Sequence, residues 1–252
     1  MIRELDFLDL PLLVGNLEST AQWLASEAAA QRNRPPLLIS HINLHNYYLL
    51  CGDEGLRSQI VGECRLLFDG IGLKLGALAM GRGWLDDING TDLYPLVFDR
   101  IERARIPAFF LGGTAEVKAK AIACIQSRWP SLAVAGHRSG YFRPDDEPAV
   151  AAEIRASGAR LLVNSRGFPR QEEFAIRNRN DLGVSVVWNV GGLFDFISET
   201  KPRAPLSMRR LRLEWLYRLW LEPQRMWPRT VIEPPWLVAQ VIRHRAWSVR
   251  IS

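Results

Sequence analysis

The sequence predicts an α/β fold: a Rossmann-like, mostly parallel sheet flanked by helices, with a basic, tryptophan-rich helical C-terminal appendage. Three observations predict it. Short apolar, β-rich runs alternate with helical stretches at the spacing of βα units, as at Leu37–Asn43, Arg65–Phe68, Pro107–Leu111 and Arg160–Val163. Two of these runs end in small or acidic residues just ahead of a helix, Phe68-Asp69-Gly70-Ile71-Gly72 and Leu111-Gly112-Gly113-Thr114. From about residue 200 the alternation stops and arginine, proline and tryptophan take over. We therefore expect a Rossmann-like domain over residues 1–200 and an appendage over 201–252.

In chain order, residues 5–13 read as a short strand or β-ribbon. Ser19–Ala30 is an alanine-rich helix capped by Ser19 or Thr20, and Pro35-Pro36 follows it. Leu37–Asn43 is a strand and Leu44–Leu50 begins a helix. The Asp69 strand and the helix Leu73–Met80 come next. Trp84–Asn89 is a loop, and Gly90 opens a helix to about Ala104. Pro107–Leu111 and the helix Ala115–Arg128 form the next unit. Leu132–Ala135 is a strand running into a loop at Gly136–Phe142, and Asp145–Ser157 a helix whose acidic first turn suits its dipole. Arg160–Val163 and Val184–Trp188 are strands on either side of the helix Gln171–Asn180. Leu206–Leu221 and Pro234–Trp247 are the helices of the tail.

A chain of 252 residues, 48% hydrophobic and 23% charged, is long enough for one large α/β core. No apolar run approaches the roughly 18–20 residues of a membrane-spanning helix. The N-terminal residues lack the long apolar segment of a secretory signal. Cys51, Cys64 and Cys124 are odd in number and widely spaced, which suits buried, inert thiols in a reducing cytoplasm. The charge is unevenly placed. Residues 1–200 hold 21 lysines and arginines against 24 acids, whereas residues 201–252 hold 11 against 3, with five of the nine tryptophans. A basic, aromatic end on a slightly acidic body points to an anionic partner met by that end.

Asp69 is the candidate that organises the reading. Open α/β sheets bind ligands at the carboxyl ends of their strands. A carboxylate there can act as a general base or hold a sugar or ribose hydroxyl; equally, it can cap the next helix. Gly112-Gly113-Thr114 has the logic of a phosphate cradle, with free N–H groups at a helix start, but tight βα turns use glycine whatever they bind, and a full G-x-G-x-x-G is missing.

A series of motifs then lines up in order: Ile42-Asn43-Leu44-His45, Phe68-Asp69-Gly70-Ile71-Gly72, Gly90-Thr91-Asp92-Leu93, Gly112-Gly113, Gly140-Tyr141-Phe142, Gly167-Phe168-Pro169-Arg170-Gln171-Glu172, Gly191-Gly192-Leu193-Phe194-Asp195 and Leu213-Glu214-Trp215 with Arg218, Glu222 and Arg225. Over roughly residues 38–229 the series resembles the WecG/TagA/CpsF family of bacterial glycosyltransferases. The resemblance implies a Rossmann-like catalytic domain that transfers a sugar, with inversion and without a metal, from a UDP-sugar to a polyprenyl-diphosphate-linked sugar. It implies Asp69 as general base, and an appendage that meets the membrane and completes the site with arginines. The place of work would be peripheral, on the cytoplasmic face of the inner membrane. No cofactor is expected.

The residues fit that expectation. An inverting transfer needs one base, and the leaving UDP needs cations or a metal. No D-x-D is present, so helix N-termini and arginines are the candidates. For the donor we single out Asn43, Gly70, Gly112, Gly113, Gly140, Tyr141, Phe142, Gln171, Glu172, Gly191 and Gly192. Gln171 and Glu172 read equally as a cap and a dipole-favouring acid, and Gly191-Gly192 as a tight turn. For the acceptor and its diphosphate we single out His41, Asp92, Arg203, Arg209, Arg212, Arg218 and Arg225. Asp195 reads as structural, and His45 and His137 as lone histidines. The chain departs from the pattern at His41, where many members have threonine, and at Asp87, where many have arginine. The second departure reverses the local field and favours a neutral hexose over an acidic sugar. With these changes the chain resembles the glucosyltransferases of xanthan- and acetan-type exopolysaccharide assembly, with an N-acetylmannosaminyl or mannosaminuronyl transferase as the alternative. Other classes fit less well. A nucleic-acid binder would need a recognition motif, an NAD-dependent oxidoreductase would need G-x-G-x-x-G, and a non-catalytic membrane scaffold would bind liposomes without turnover.

Overall fold

The structure, a computed structural model, describes residues 2–30, 35–202, 204–205, 207–208 and 213–251. Eight strands form one sheet: β1 (Arg3–Phe7), β2 (Leu10–Val14), β3 (Leu37–Ile42), β4 (Cys64–Phe68), β5 (Ala108–Gly112), β6 (Val134–Arg138), β7 (Leu161–Ser165) and β8 (Val186–Asn189). Their order is β1-β2-β4-β3-β8-β7-β5-β6. Every pairing is parallel except the β1–β2 hairpin, so the expected ribbon caps one edge of a parallel sheet.

The helices cover both faces. On one face lie α1 (Leu17–Ala29), α5 (Gly90–Arg103), α6 (Ala115–Arg128) and the short α9 (Leu193–Ile197). On the other lie α2 (Leu44–Gly52), α3 (Glu54–Glu63), α4 (Ile71–Ala79), α7 (Glu147–Ala156) and α8 (Arg170–Arg177). The strands feed these two cores alternately. Leu66 and Phe68 point to one and Leu67 to the other; Phe109 and Leu111 are answered by Ala108 and Phe110. This is the period-two geometry of a strand buried on both faces, and it explains why the strands read as unbroken apolar runs.

Beyond the sheet come α10 (Glu214–Leu221), α11 (Pro223–Val231) and α12 (Glu233–Ile251). The last packs back onto α2 and α4. Leu237 and Val241 enter the core, and Trp236 meets the rings of Tyr47 and Tyr48 at 5.5 and 5.0 Å. Gly76 of α4 allows the approach, since a Cβ there would stand 3.1 Å from Leu237 Cδ2. The His45 imidazole, taken from sequence as a lone histidine, clasps Glu233 at 2.5 Å and so ties the start of α2 to α12.

Some boundaries differ from expectation for physical reasons. Asn16, not Ser19 or Thr20, caps α1, its side chain accepting from Ser19 N at 2.8 Å. Gly136, His137 and Arg138 continue β6 instead of forming a loop, because the backbone ladder with β5 needs no apolar side chains at an edge. Pro223–Val231 is helical, although proline there reads as punctuation. Cys64 is buried and its thiol is pushed up to about 12 by desolvation, as an inert cysteine should be, but Cys51 and Cys124 are exposed. Among the described residues no helix is long and apolar enough to cross a membrane.

Candidate active site

A cleft of about 1490 Å³ opens where β3–β8 end, between the strand-end loops and α10–α12. Asp69 sits at its base, directly after β4. Its N–H donates to Ile42 O at 3.0 Å, extending the β3–β4 ladder by one rung. Gly70 then turns the chain with φ +89°, a left-handed conformation that favours glycine, and α4 starts. The Gly70 N–H donates to Asp87 Oδ1 at 2.8 Å. Asp69 keeps part of its surface on the cleft but is otherwise enclosed by protein. Desolvation holds its carboxyl well above the usual carboxylate range, and the neighbouring charge of Asp87 adds to this. Arg218 of α10 opposes the rise, while Glu214 and Asp92 reinforce it. The structure thus brings a strand-end carboxylate and a tail arginine to one place.

Most of the expected donor and acceptor residues line the same cleft. Asn43, Gly70, Gly113, Gly140, Tyr141, Phe142, Gln171, Gly191 and Gly192 do so, as do His41, Asp92, Arg218 and Arg225. Asn43 also caps α2, accepting from Asn46 N at 3.1 Å. Tyr141, 72% exposed, stands at the lip with its ring free to stack. Asp195, expected to be structural, is salt-bridged to Lys201 at 3.0 Å, and the same Lys201 reaches Glu222 at 3.4 Å, so the pair fastens the last strand-end loop to the tail. Arg218 pairs with Glu214 at 2.8 Å and lies 4.8 Å over the Phe196 ring. Arg203, Arg209 and Arg212 lie outside the described residues.

Three expectations need correction. Glu172 does not reach the cleft: it is fully buried, facing inward from α8 toward β3, where its carboxyl takes a 2.8 Å bond from Gln171 Nε2. Burial pushes that carboxyl up to about 7, and its second oxygen makes no hydrogen bond. Gln171 touches the cleft but spends its polar atoms internally. Its Oε1 accepts from Gly191 N at 2.9 Å, so it shapes the Gly191-Gly192 loop, and Ser165 Oγ fixes the same loop by donating to Gly191 O at 2.6 Å. Gly112 is a packing residue. A Cβ there would meet Ser165 O at 2.5 Å, so only glycine lets β5 lie this close to β7.

His41 offers no ring nitrogen to an acceptor as it stands. Nδ1 bonds Ile88 O at 2.9 Å and Nε2 accepts from Trp188 Nε1–H at 2.9 Å. The two partners set the tautomer with the proton on Nδ1. Burial lowers the imidazole pKa to about 4, so the ring is a neutral strut beneath the loop that carries Asp87.

Other cleft residues have no role assigned from sequence, although Glu214 and Trp215 stand in the tail motif. Arg166 donates from Nε to Gly140 O at 3.0 Å and stacks 4.1 Å over Phe142, holding the Gly140–Phe142 loop. Glu214, Trp215 and Arg229 come from the tail. Arg166 and Arg229 belong to none of the motifs, and the tail residues meet the strand-end loops only where α10 and α11 line the cleft.

A carboxylate held out of water beside an arginine, at strand ends opening on a wide cleft, suits group transfer to a hydroxyl: the fold and site are those of a transferase. The particular kind follows from comparison. The chain belongs to the WecG/TagA/CpsF family of glycosyl transferases, whose pattern matches residues 5–250. One relative is the N-acetylglucosaminyldiphosphoundecaprenol N-acetyl-beta-D-mannosaminyltransferase of Bacillus spizizenii, 32% identical over 185 residues, which are 73% of this chain and 70% of the relative.

Proposed function

We propose that the chain is an inverting glycosyltransferase that moves an uncharged hexose from a UDP-sugar to a sugar carried on polyprenyl diphosphate. The observation that carries this reading is Asp69 on the cleft floor, facing Arg218. Asp69 takes the proton of the acceptor hydroxyl as that oxygen bonds to the donor's anomeric carbon. The bond from that carbon to the β-phosphate oxygen breaks on the opposite face, and its electron pair leaves with UDP. Among the described residues, Arg218, Arg225 and Arg229 are the cleft arginines of the tail that can meet the developing and resident phosphate charge. No metal is required by this scheme. Tyr141 offers an aromatic face to the nucleotide and the Gly113 turn lets backbone approach it closely, while the amides of Gly140 and Gly191 are held by Gly113 O and Gln171 Oε1.

Asp87, Asp92 and Glu214 make the surroundings of Asp69 acidic, which disfavours a uronic acid donor. Two neutral donors remain. The sequence reading favours glucose, for exopolysaccharide assembly, and the activity of the relative favours N-acetylmannosamine on an undecaprenyl-diphosphate acceptor. A lipid-linked acceptor supports our reading of a peripheral enzyme, working at the cytoplasmic face of the inner membrane. The basic tail, with Trp220 and Trp227 exposed, is the part suited to an anionic bilayer surface.

The test is transfer from a panel of UDP-sugars to short-chain glucosyl- and N-acetylglucosaminyl-diphospho-lipids, with and without EDTA. We expect EDTA-resistant transfer of one neutral sugar, and a loss of about 10²–10⁴-fold in kcat for Asp69→Asn. Full activity of Asp69→Asn refutes the assignment of the base. Transfer from a UDP-uronic acid refutes the neutral donor.

A further inference from the structure

The loop between α4 and α5, residues 81–89, has little regular secondary structure but is tied to the strand ends at three points. Ile88 N–H donates to Phe68 O at 3.1 Å, His41 Nδ1–H donates to Ile88 O at 2.9 Å, and Gly70 N–H donates to Asp87 Oδ1 at 2.8 Å. The loop is also pressed onto α4, where Lys74 Nζ stands 5.0 Å over the Trp84 ring. The third tie bears on the chemistry. Gly70 is the residue immediately after Asp69, in a conformation that lets its amide swing freely if nothing holds it. Asp87 holds it with the 2.8 Å bond from the Gly70 N–H at the start of α4.

We propose that Asp87 is a positioning residue for the base: it pins the backbone next to Asp69 and stands a second negative charge beside that carboxyl. This rests on the reading of Asp69 given above. The charged groups facing Asp69 are Asp87 from the 81–89 loop, Asp92 from the first turn of α5, and Glu214 and Arg218 from α10. Burial first, and then three acids against one arginine, make Asp69 grip a proton tightly. Once that proton has left, the same field makes Asp69 a stronger base toward a sugar hydroxyl, which is a weak acid. His41 contributes no charge to this balance, being neutral, and serves only to hold Ile88 and hence the neighbouring Asp87 in place.

The experiment is a ¹³C titration of side-chain carboxyls in aspartate-labelled protein, with the Asp69 resonance assigned from Asp69→Asn, run alongside the pH dependence of kcat. Asp87→Asn keeps a carbonyl able to accept from Gly70 but removes the charge; Asp87→Glu keeps the charge. We expect the Asp69 titration and the acid limb of kcat both to move to lower pH in Asp87→Asn, with a lower plateau rate, and to stay near wild type in Asp87→Glu. An unmoved Asp69 resonance in Asp87→Asn overturns the proposal, and so does an equal displacement in Asp87→Glu. Absence of transfer from every UDP-sugar would strike the proposed function instead, because the titration reads Asp69 without turnover.

Discussion

Replacing Glu172 by glutamine alters little except the capacity to hold a charge inside the protein. The side chain is fully buried, its Oε1 bonded to Gln171 and its Oε2 without a hydrogen bond. Its carboxyl is raised from 4.5 to about 7, mainly by burial. The unfolded chain therefore gives up this proton near pH 4.5, and the folded chain keeps it until near pH 7. Between those values the folded state binds more protons, so stability falls as pH rises, and the loss is complete above the folded value. At about 1.4 kcal/mol per unit, the full penalty is about 3 kcal/mol. About 2 kcal/mol of it develops between pH 5 and 7. Glutamine has no such penalty. Urea unfolding at pH 5, 6, 7 and 8 should show Glu172→Gln gaining about 2 kcal/mol on wild type across that range. The comparison must be a difference between proteins, because His41 imposes an opposite slope. Its imidazole is lowered from 6.5 to about 4, so there the unfolded state binds the extra proton and stability falls as pH drops. The two oppose each other between pH 5 and 7, and Asp69, whose carboxyl is also raised by burial, adds a slope of the same sign as Glu172. If the gap between variant and wild type is the same at pH 5 and pH 7, the carboxyl does not titrate in the native interior and the reasoning fails.

His41→Asn is the mirror case: whatever it costs at neutral pH, wild type should lose about 2 kcal/mol against it between pH 7 and 5, and parallel denaturation curves across that range would contradict a buried neutral imidazole. Exchanging Trp220 and Trp227 for serine should weaken binding to anionic vesicles by about tenfold or more, and raising the salt should weaken wild type further; sedimentation with phosphatidylglycerol vesicles checks this, and unchanged binding would move the membrane contact elsewhere.

The sheet was legible because its strands are buried on both faces, so each appears as an apolar run closed by a turn. Asp69 was legible for the same reason: it ends such a run and two glycines follow. What was hidden had weaker local signals. α3 buries only Ile60, too little to leave a helical period in the sequence. β6 is an edge strand, half-buried except at the exposed His137, with glycine and charge where apolar residues would have marked it. Gln171 and Glu172 read as donor-binding residues, or as a cap and a dipole-favouring acid, at a helix start, yet the packing of α8 against β3 and β8 buries two adjacent polar residues beneath the cleft. The roles of Asp87 and Arg218 depend on a loop and a tail helix reaching the same carboxylate, and no spacing along the chain encodes that meeting.

The joining of α12 to α2 and α4 is also a contact of very long range, since His45 and Glu233 lie 188 residues apart in sequence. The strand that precedes Asp69 pairs instead with β2 and β3, which are close to it along the chain. Closing the longer loop costs more conformational entropy than pairing those strands. The tail wall of the cleft should therefore open locally while the sheet beneath Asp69 stays paired.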